Sequence, residues 1–134
     1  METIENLKEL ISEYNLTEHV KIHLNIANRK QMANIYRKSD VFISTSNYET
    51  FGVALAESIS CGCFGISLMN GGSLEIINDG VNGFLLSEIE ILNLEQVIKK
   101  IDFSQSLRIT CHNSIKNEFG RMAYLKSLKN LYVI

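Results

Sequence analysis

A chain of 134 residues with 46% apolar and 21% charged side chains has the size and balance of one globular domain, able to bury roughly two-thirds of the surface its unfolded chain exposes. A net charge of −2 and a pI near 5.9 give no basic footprint for nucleic acid, and apolar runs such as VFI and FLL are far too short to cross a bilayer. The opening METIENLKEL is polar and acidic, without the basic head or apolar middle of a secretory signal, so the chain reads as cytoplasmic.

The elements follow in order. Ile4, Leu7, Ile11 and Tyr14 recur at helical spacing and Asn15 is a stop, which predicts a first helix. Residues 20–24 read as a short strand. A helix is expected over Arg29–Lys38, with Met32, Ile35 and Tyr36 on one face and Ser39-Asp40 at its end. Val41, Phe42 and Ile43 form a continuous apolar run, the mark of a strand covered on both sides. The next helix, 52–60, carries Leu55 and Ile59 inward and is closed by Gly62. Then come a strand over Phe64–Leu68, a tight turn at Gly71-Gly72, a helical turn over 74–78 and a last strand over 84–86. Leu94, Val97, Ile98 and Ile101 mark a further amphipathic helix, and two more are expected around 107–117 and 121–132. Strands alternating with helices imply an α/β fold, a parallel sheet flanked by helices on both faces.

Three cysteines, Cys61, Cys63 and Cys111, are an odd count without a second pair to complete a zinc site, so they read as reduced thiols. Cys61-Gly62-Cys63 reads as small residues at a helix-to-strand turn. His19, His23 and His112 are scattered, and none is a catalytic candidate. The absence of proline supports no functional conclusion.

Ligands of doubly wound sheets sit beyond the carboxyl ends of the strands, where loops enter helix N-termini. Residues 44–52 are such a loop. The helix after it offers free N–H groups suited to a pyrophosphate, and Gly52 lets a ligand approach the backbone. Two glutamates, Glu49 and Glu57, flank that helix start with seven residues between them, opening with Thr50-Phe51-Gly52. Carboxylates accept paired hydroxyls, and Glu57 lies off the Leu55 and Ile59 stripe, so it can face the crevice. On spacing alone, the better reading is Glu49 as a helix-start acid and Glu57 as a solvated face residue.

The surroundings of that pair, SDVFISTSNYETFGVALAE, then Gly71-Gly72 with Glu75, Ile76 and Ile77, then DGVNG, resemble the donor-binding half of nucleotide-sugar-dependent glycosyltransferases of the large retaining family numbered four. The resemblance implies an incomplete GT-B donor domain with a Rossmann-like sheet. It assigns Glu49 to the donor hexose, as the catalytic candidate, and Glu57 to ribose hydroxyls. The backbone of Phe51, Gly52 and Val53 would meet sugar and diphosphate. The donor would be a UDP-sugar or GDP-sugar, with no cofactor and no metal, and the acceptor a glycan or lipid. The chain departs from the family where proline is common, at Thr45, Phe64 and Leu74, and has Asn25 where glycine is usual. The glycines of DGVNG read as turn formers without ligand contact.

By the same resemblance the acceptor domain and the first two donor-domain strands are missing, and with them the arginine and lysine that neutralise the diphosphate. Arg29, Lys30, Arg37 and Lys38 read as a solvated helix face. The expected partners are therefore a nucleotide sugar and either a complementary N-terminal fragment or a second copy in self-association. In the order 3-2-1-4-5-6, residues 20–24 would be the third strand and 41–43 the fourth, so the two either pair directly or leave a gap. A non-catalytic remnant or partner subunit is the alternative function. A different Rossmann-like binding protein is disfavoured because no GxGxxG follows a strand near the N-terminus.

Overall fold

In the computed structural model, which describes residues 3–123, 125 and 126, helix starts are set by short polar caps. Thr3 caps α1 (Ile4–Glu13), and Asn28 accepts from the Lys30 and Gln31 N–H groups at the start of α2 (Arg29–Lys38). The chain then runs through β1 (Val41–Ser44), α3 (Val53–Ser60), β2 (Phe64–Leu68), α4 (Gly71–Ile76) and β3 (Gly83–Leu86). A 3₁₀ turn (Glu90–Asn93), α5 (Leu94–Ile98) and α6 (Gln105–Phe119) follow, and residues 121–123, 125 and 126 are again helical. The rest of the helix expected over 121–132 lies outside the described residues.

The sheet is parallel, in the order β1-β2-β3. All five residues of β2 are buried, as its central place demands. Register puts Val41, Ile43, Phe64, Ile66, Phe84 and Leu86 on one face and Phe42, Ser44, Gly65, Ser67 and Leu85 on the other. The second face lies under α3. A Cβ on Gly65 would come within 2.7 Å of Ile59 Cδ1, so glycine there lets Leu55 and Ile59 sink onto the sheet. On the first face Phe64 and Phe84 meet edge to face at 5.0 Å and line a cavity with Ile101 and Leu107.

Two expectations fail. Residues 20–24 are not a strand: residues 20–28 carry no regular structure, Asn25 turns into the left-handed region (φ 53°), and β1 is left as an edge. Apolar side chains alternate at Val20, Ile22, Leu24 and Ile26, yet the segment pairs with no described strand, not even along the outer edge of β1, since alternation alone does not dock a segment on a sheet. The gap stays open. Gly71-Gly72 is not a tight turn but the first turn of α4, started by a reciprocal cap in which Asn70 Oδ1 accepts from the Ser73 N–H and Ser73 Oγ from the Asn70 N–H, both at 2.9 Å. Smaller shifts fall at element ends. Gly52 is the N-cap of its helix rather than its first residue, and β3 starts one residue early, at Gly83.

Side chains bonded to distant backbone hold the layers together. Asn82, wholly buried, accepts from the Asn78 N–H at 2.8 Å and donates to the Ile76 carbonyl at 3.1 Å and Ser114 Oγ at 2.8 Å, joining the β3 turn to α4 and α6. Arg108 on α6 donates to the carbonyls of Arg37 (2.7 Å) and Ser39 (3.0 Å), closing the C-terminal end of α2. Within DGVNG, Gly80 is a turn former at φ 77°, whereas Gly83 belongs to the strand.

All three cysteines are free thiols. Burial pushes Cys63 and Cys111 from 9.0 up to about 11, so both stay neutral at physiological pH. Their folded values lie above their unfolded ones. The contribution is therefore fully present below pH 9 and is lost as pH rises from about 9 towards 11. Urea midpoints measured from pH 7 to 11 should be flat to about 9 and then fall, and Cys63→Ala should reduce that slope. Replacing Asn82 by Ala orphans the Asn78 N–H and the Ile76 carbonyl, and chemical denaturation should report a loss of about 1–3 kcal/mol.

Candidate functional site

The loop between β1 and α3 leaves the sheet at its carboxyl end and is held from the α4 side. The Gly72 N–H donates to the Glu49 carbonyl at 2.8 Å, and Asn70 Nδ2 donates to the Ser46 carbonyl at 2.9 Å. Gly72 packs directly on that loop: a Cβ there would lie 2.6 Å from the Phe51 carbonyl carbon and 2.9 Å from the Gly52 nitrogen. Gly52 itself sits at φ 76°, and a Cβ on it would press Ile76 Cδ1 at 3.0 Å. Both glycines are demanded by geometry.

Gly52 caps α3 without a side-chain bond, the first turn of α3 carries no acid, and the first intrahelical bond runs from the Ala56 N–H to the Gly52 carbonyl. The N–H groups of Val53, Ala54 and Leu55 thus have no intrahelical acceptor and form the positive end of the helix dipole. This end can receive an anion. The Phe51 ring turns away from it and stacks edge to face on Phe119 at 6.1 Å, leaving only its backbone at the helix start.

The two glutamates line different cavities. Glu49 borders a recess of about 40 Å³ with Ser44, Gly52, Ser67 and Asn70, and no described cationic side chain lines it. Glu57, exposed on α3, borders a cavity of about 420 Å³ between α3 and α2, walled by Ile26, Met32 and Tyr36 with Arg29 at its rim. Burial, and secondarily the Glu57 carboxylate, raise the Tyr36 hydroxyl above its ordinary value. Arg29, expected on a solvated face, is exposed but lines this cavity, while Arg37 offers its carbonyl to Arg108. His19 and His23 are four apart, yet they fall in the irregular stretch after α1 and share no helical face. Among the described residues no group of three or more His, Cys, Asp or Glu could hold a metal ion, and no helix is long and apolar enough to cross a membrane.

A helix-flanked parallel sheet, with a helix start free of side-chain caps and a glutamate-bearing loop at its carboxyl end, defines part of a Rossmann-like architecture. The profile of the glycosyl transferases group 1 family matches residues 2–121, and the chain belongs to that family as a portion of its donor-binding domain. Sucrose synthase of Beta vulgaris is 34% identical over 104 residues, 75% of this chain and 13% of that protein. A probable sucrose-phosphate synthase of Thermosipho melanesiensis is 38% identical over 69 residues, 48% of this chain and 16% of the relative. A chain in the crystal structure of a GtfA/B complex superposes with a TM-score of 0.68 at 20% identity, over 97% of this chain and 28% of its own length, a likeness of fold. The chain thus spans a small part of each of these proteins.

Asn70 and Ser73 are site-building residues that the motif reading passed over, although an Asn followed three residues later by Ser is a recognisable helix start. The glycines permit a direct comparison. Gly72→Ala should cost about 1–3 kcal/mol because backbone must give way, whereas Gly71→Ala, whose Cβ would meet only the Glu49 carbonyl at 3.5 Å, should leave the melting temperature nearly unchanged.

Proposed function

We propose that this chain binds the donor of a retaining glycosyl transfer, a UDP-sugar or GDP-sugar, with the diphosphate on the open start of α3 and the nucleoside in the cavity beside Glu57. The observation that carries this reading is the uncapped α3 N-terminus at the carboxyl end of β1, held by Gly72 and Asn70, on the same helix whose later residue Glu57 borders a cavity of nucleoside size. Glu57 accepts the ribose hydroxyls. Glu49 orients the hexose as the catalytic candidate, and the backbone of Phe51, Gly52 and Val53 lies along sugar and diphosphate. Transfer places negative charge on the departing diphosphate, and oriented amides stabilise it without reorganising. The acceptor would be a glycan or lipid, and the setting the cytoplasm.

These residues do not complete the chemistry. No described cationic side chain lines the Glu49 recess, and on this reading a complementary N-terminal segment, in the same or another polypeptide, supplies charges facing the diphosphate.

Calorimetric titration of UDP-glucose and GDP-mannose against the wild-type chain and Glu57→Gln tests the assignment. The substitution should cost about 1.5–3 kcal/mol, roughly tenfold to a hundredfold in affinity. Equal affinities would sink it. The purified 134 residues should show no steady transfer to any acceptor, and sustained turnover would refute the need for a complementary segment.

A further inference from the structure

The recess beside Glu49 has its floor on β1 and β2, its roof at the start of α3 and its side at Asn70 and Ser73. Register sets Ser44 directly beside Ser67, at the carboxyl ends of neighbouring parallel strands and on the face under α3, so two hydroxyls lie together among Phe42 and Leu55. A strand added to the outer edge of β1, as the donor reading requires, lies on the side of β1 away from Ser67 and leaves these walls in place. Polar groups in this recess are unevenly satisfied. Asn70 and Ser73 bond to each other and to the carbonyls of Ser46 and Leu68. Ser67, wholly buried, donates its hydroxyl hydrogen to the same Leu68 carbonyl at 3.0 Å, and its oxygen accepts from no described residue. The Ser44 hydroxyl and the Glu49 carboxylate have no partner among the described residues. The Glu49 side chain runs beside Gly52, its Cγ 3.7 Å from where a Cβ on that glycine would stand. A carboxylate only accepts, so Glu49 cannot satisfy the oxygen of Ser67.

We propose that the recess is a binding site for one water molecule, which donates to the Glu49 carboxylate and to Ser67 Oγ and accepts from the Ser44 hydroxyl. Two acceptors and one donor match a molecule with two hydrogens and a lone pair. The volume of about 40 Å³ exceeds the roughly 30 Å³ a water occupies in the liquid, falls short of two, and admits neither a hexose nor a phosphate. About three polar partners is usual for a buried water. The bridge makes Ser44 and Ser67 positioning residues: it ties one carboxylate oxygen of Glu49 to the sheet and leaves the other directed at the crevice. That last step rests on the donor reading, in which Glu49 meets the hexose, whereas the water site itself does not.

A high-resolution crystal structure of the 134-residue chain, together with oxygen-17 relaxation dispersion in solution, tests the site without any nucleotide. One water is expected within hydrogen-bond distance of the Glu49 carboxylate, Ser44 Oγ and Ser67 Oγ, long-lived enough to register as internal. Ser67→Val fills the recess and removes an acceptor, and it should lose that one water. Ser44→Ala keeps the space but withdraws the donor, and it should shorten the residence of the water. Three wild-type results would overturn the proposal without recourse to a variant. These are a dry recess, a water that does not touch Glu49, and density that disappears when choline replaces sodium, which would mark a cation instead. Equal internal-water counts in the wild type and a folded Ser67→Val would overturn it too. For the positioning role, Ser67→Val should weaken UDP-glucose about twofold to tenfold and leave UDP, which lacks the hexose, unchanged. An equal loss for both ligands, or for neither, would refute that role. The water is read in the absence of ligand, so its failure is distinguishable from failure of the donor assignment, which Glu57→Gln tests.

Discussion

Everything at the carboxyl end of the sheet depends on one backbone approach, in which the first turn of α4 lies against Phe51 and Gly52 with no room for a side chain at Gly72. That approach aligns the Gly72 N–H with the Glu49 carbonyl and brings Asn70 to Ser46, so the loop between β1 and α3 is held along its length. The position of Gly52 follows from it. So do its left-handed backbone and the direction in which α3 presents its amides. Preorganised amides favour an anion because their ordering is completed in folding rather than on binding.

The forces that place these pieces are mainly burial and side-chain-to-backbone hydrogen bonds. Leu55, Ile59, Ile66 and Ile76 all belong to the buried cluster, Leu55 and Ile59 packing over the Gly65 face of β2 and Ile66 lying on the opposite face. Asn70, Ser73, Asn82 and Arg108 then satisfy helix ends and turns, Ser73 locally and the other three also across elements far apart in the chain. Ion pairs matter less. Lys99 with Glu95 lies on the surface, and the Arg108 contact with Asp40 is longer, at 3.3 Å, than its bonds to carbonyls. No described buried side-chain nitrogen or oxygen lacks a partner.

The parts legible in the sequence were those with a local signature. The apolar runs of β1 and β2, the inward Leu55 and Ile59 of α3, and the stop after Lys38 all reappear at or within a residue of where periodicity put them. Residues 20–24 were not legible in this way, because alternation states only that a segment could line a sheet, while pairing depends on a neighbour elsewhere. The glycine pair misled for a related reason. Gly-Gly suits a tight turn locally, but Asn70 and Ser73 make it a helix start and the loop opposite requires one glycine for space. The spacing of Glu49 and Glu57 signalled a common region but not two separate cavities, since the path between them bends through Gly52. Arg29 likewise gained its place beside Glu57 only when α2 packed against α3.

The Arg108 guanidinium spans about half the chain to reach the end of α2, and Cys63 adds its thiol bond to the Tyr36 carbonyl. Around those ties the N-terminal third is thinly anchored: α1 buries no residue and α2 buries only Tyr36. Opening free energy should therefore fall along a gradient from β2 outward to α1, with α2 as a separate cooperative unit. Since α2 forms one wall of the Glu57 cavity while α3 and α4 frame the helix start, the two halves of the crevice differ in stiffness. The wall that α2 gives the Glu57 cavity is thus tied down chiefly at its Ser39 end, whereas the loop before α3 is fixed from Ser46 to Gly52 by α4.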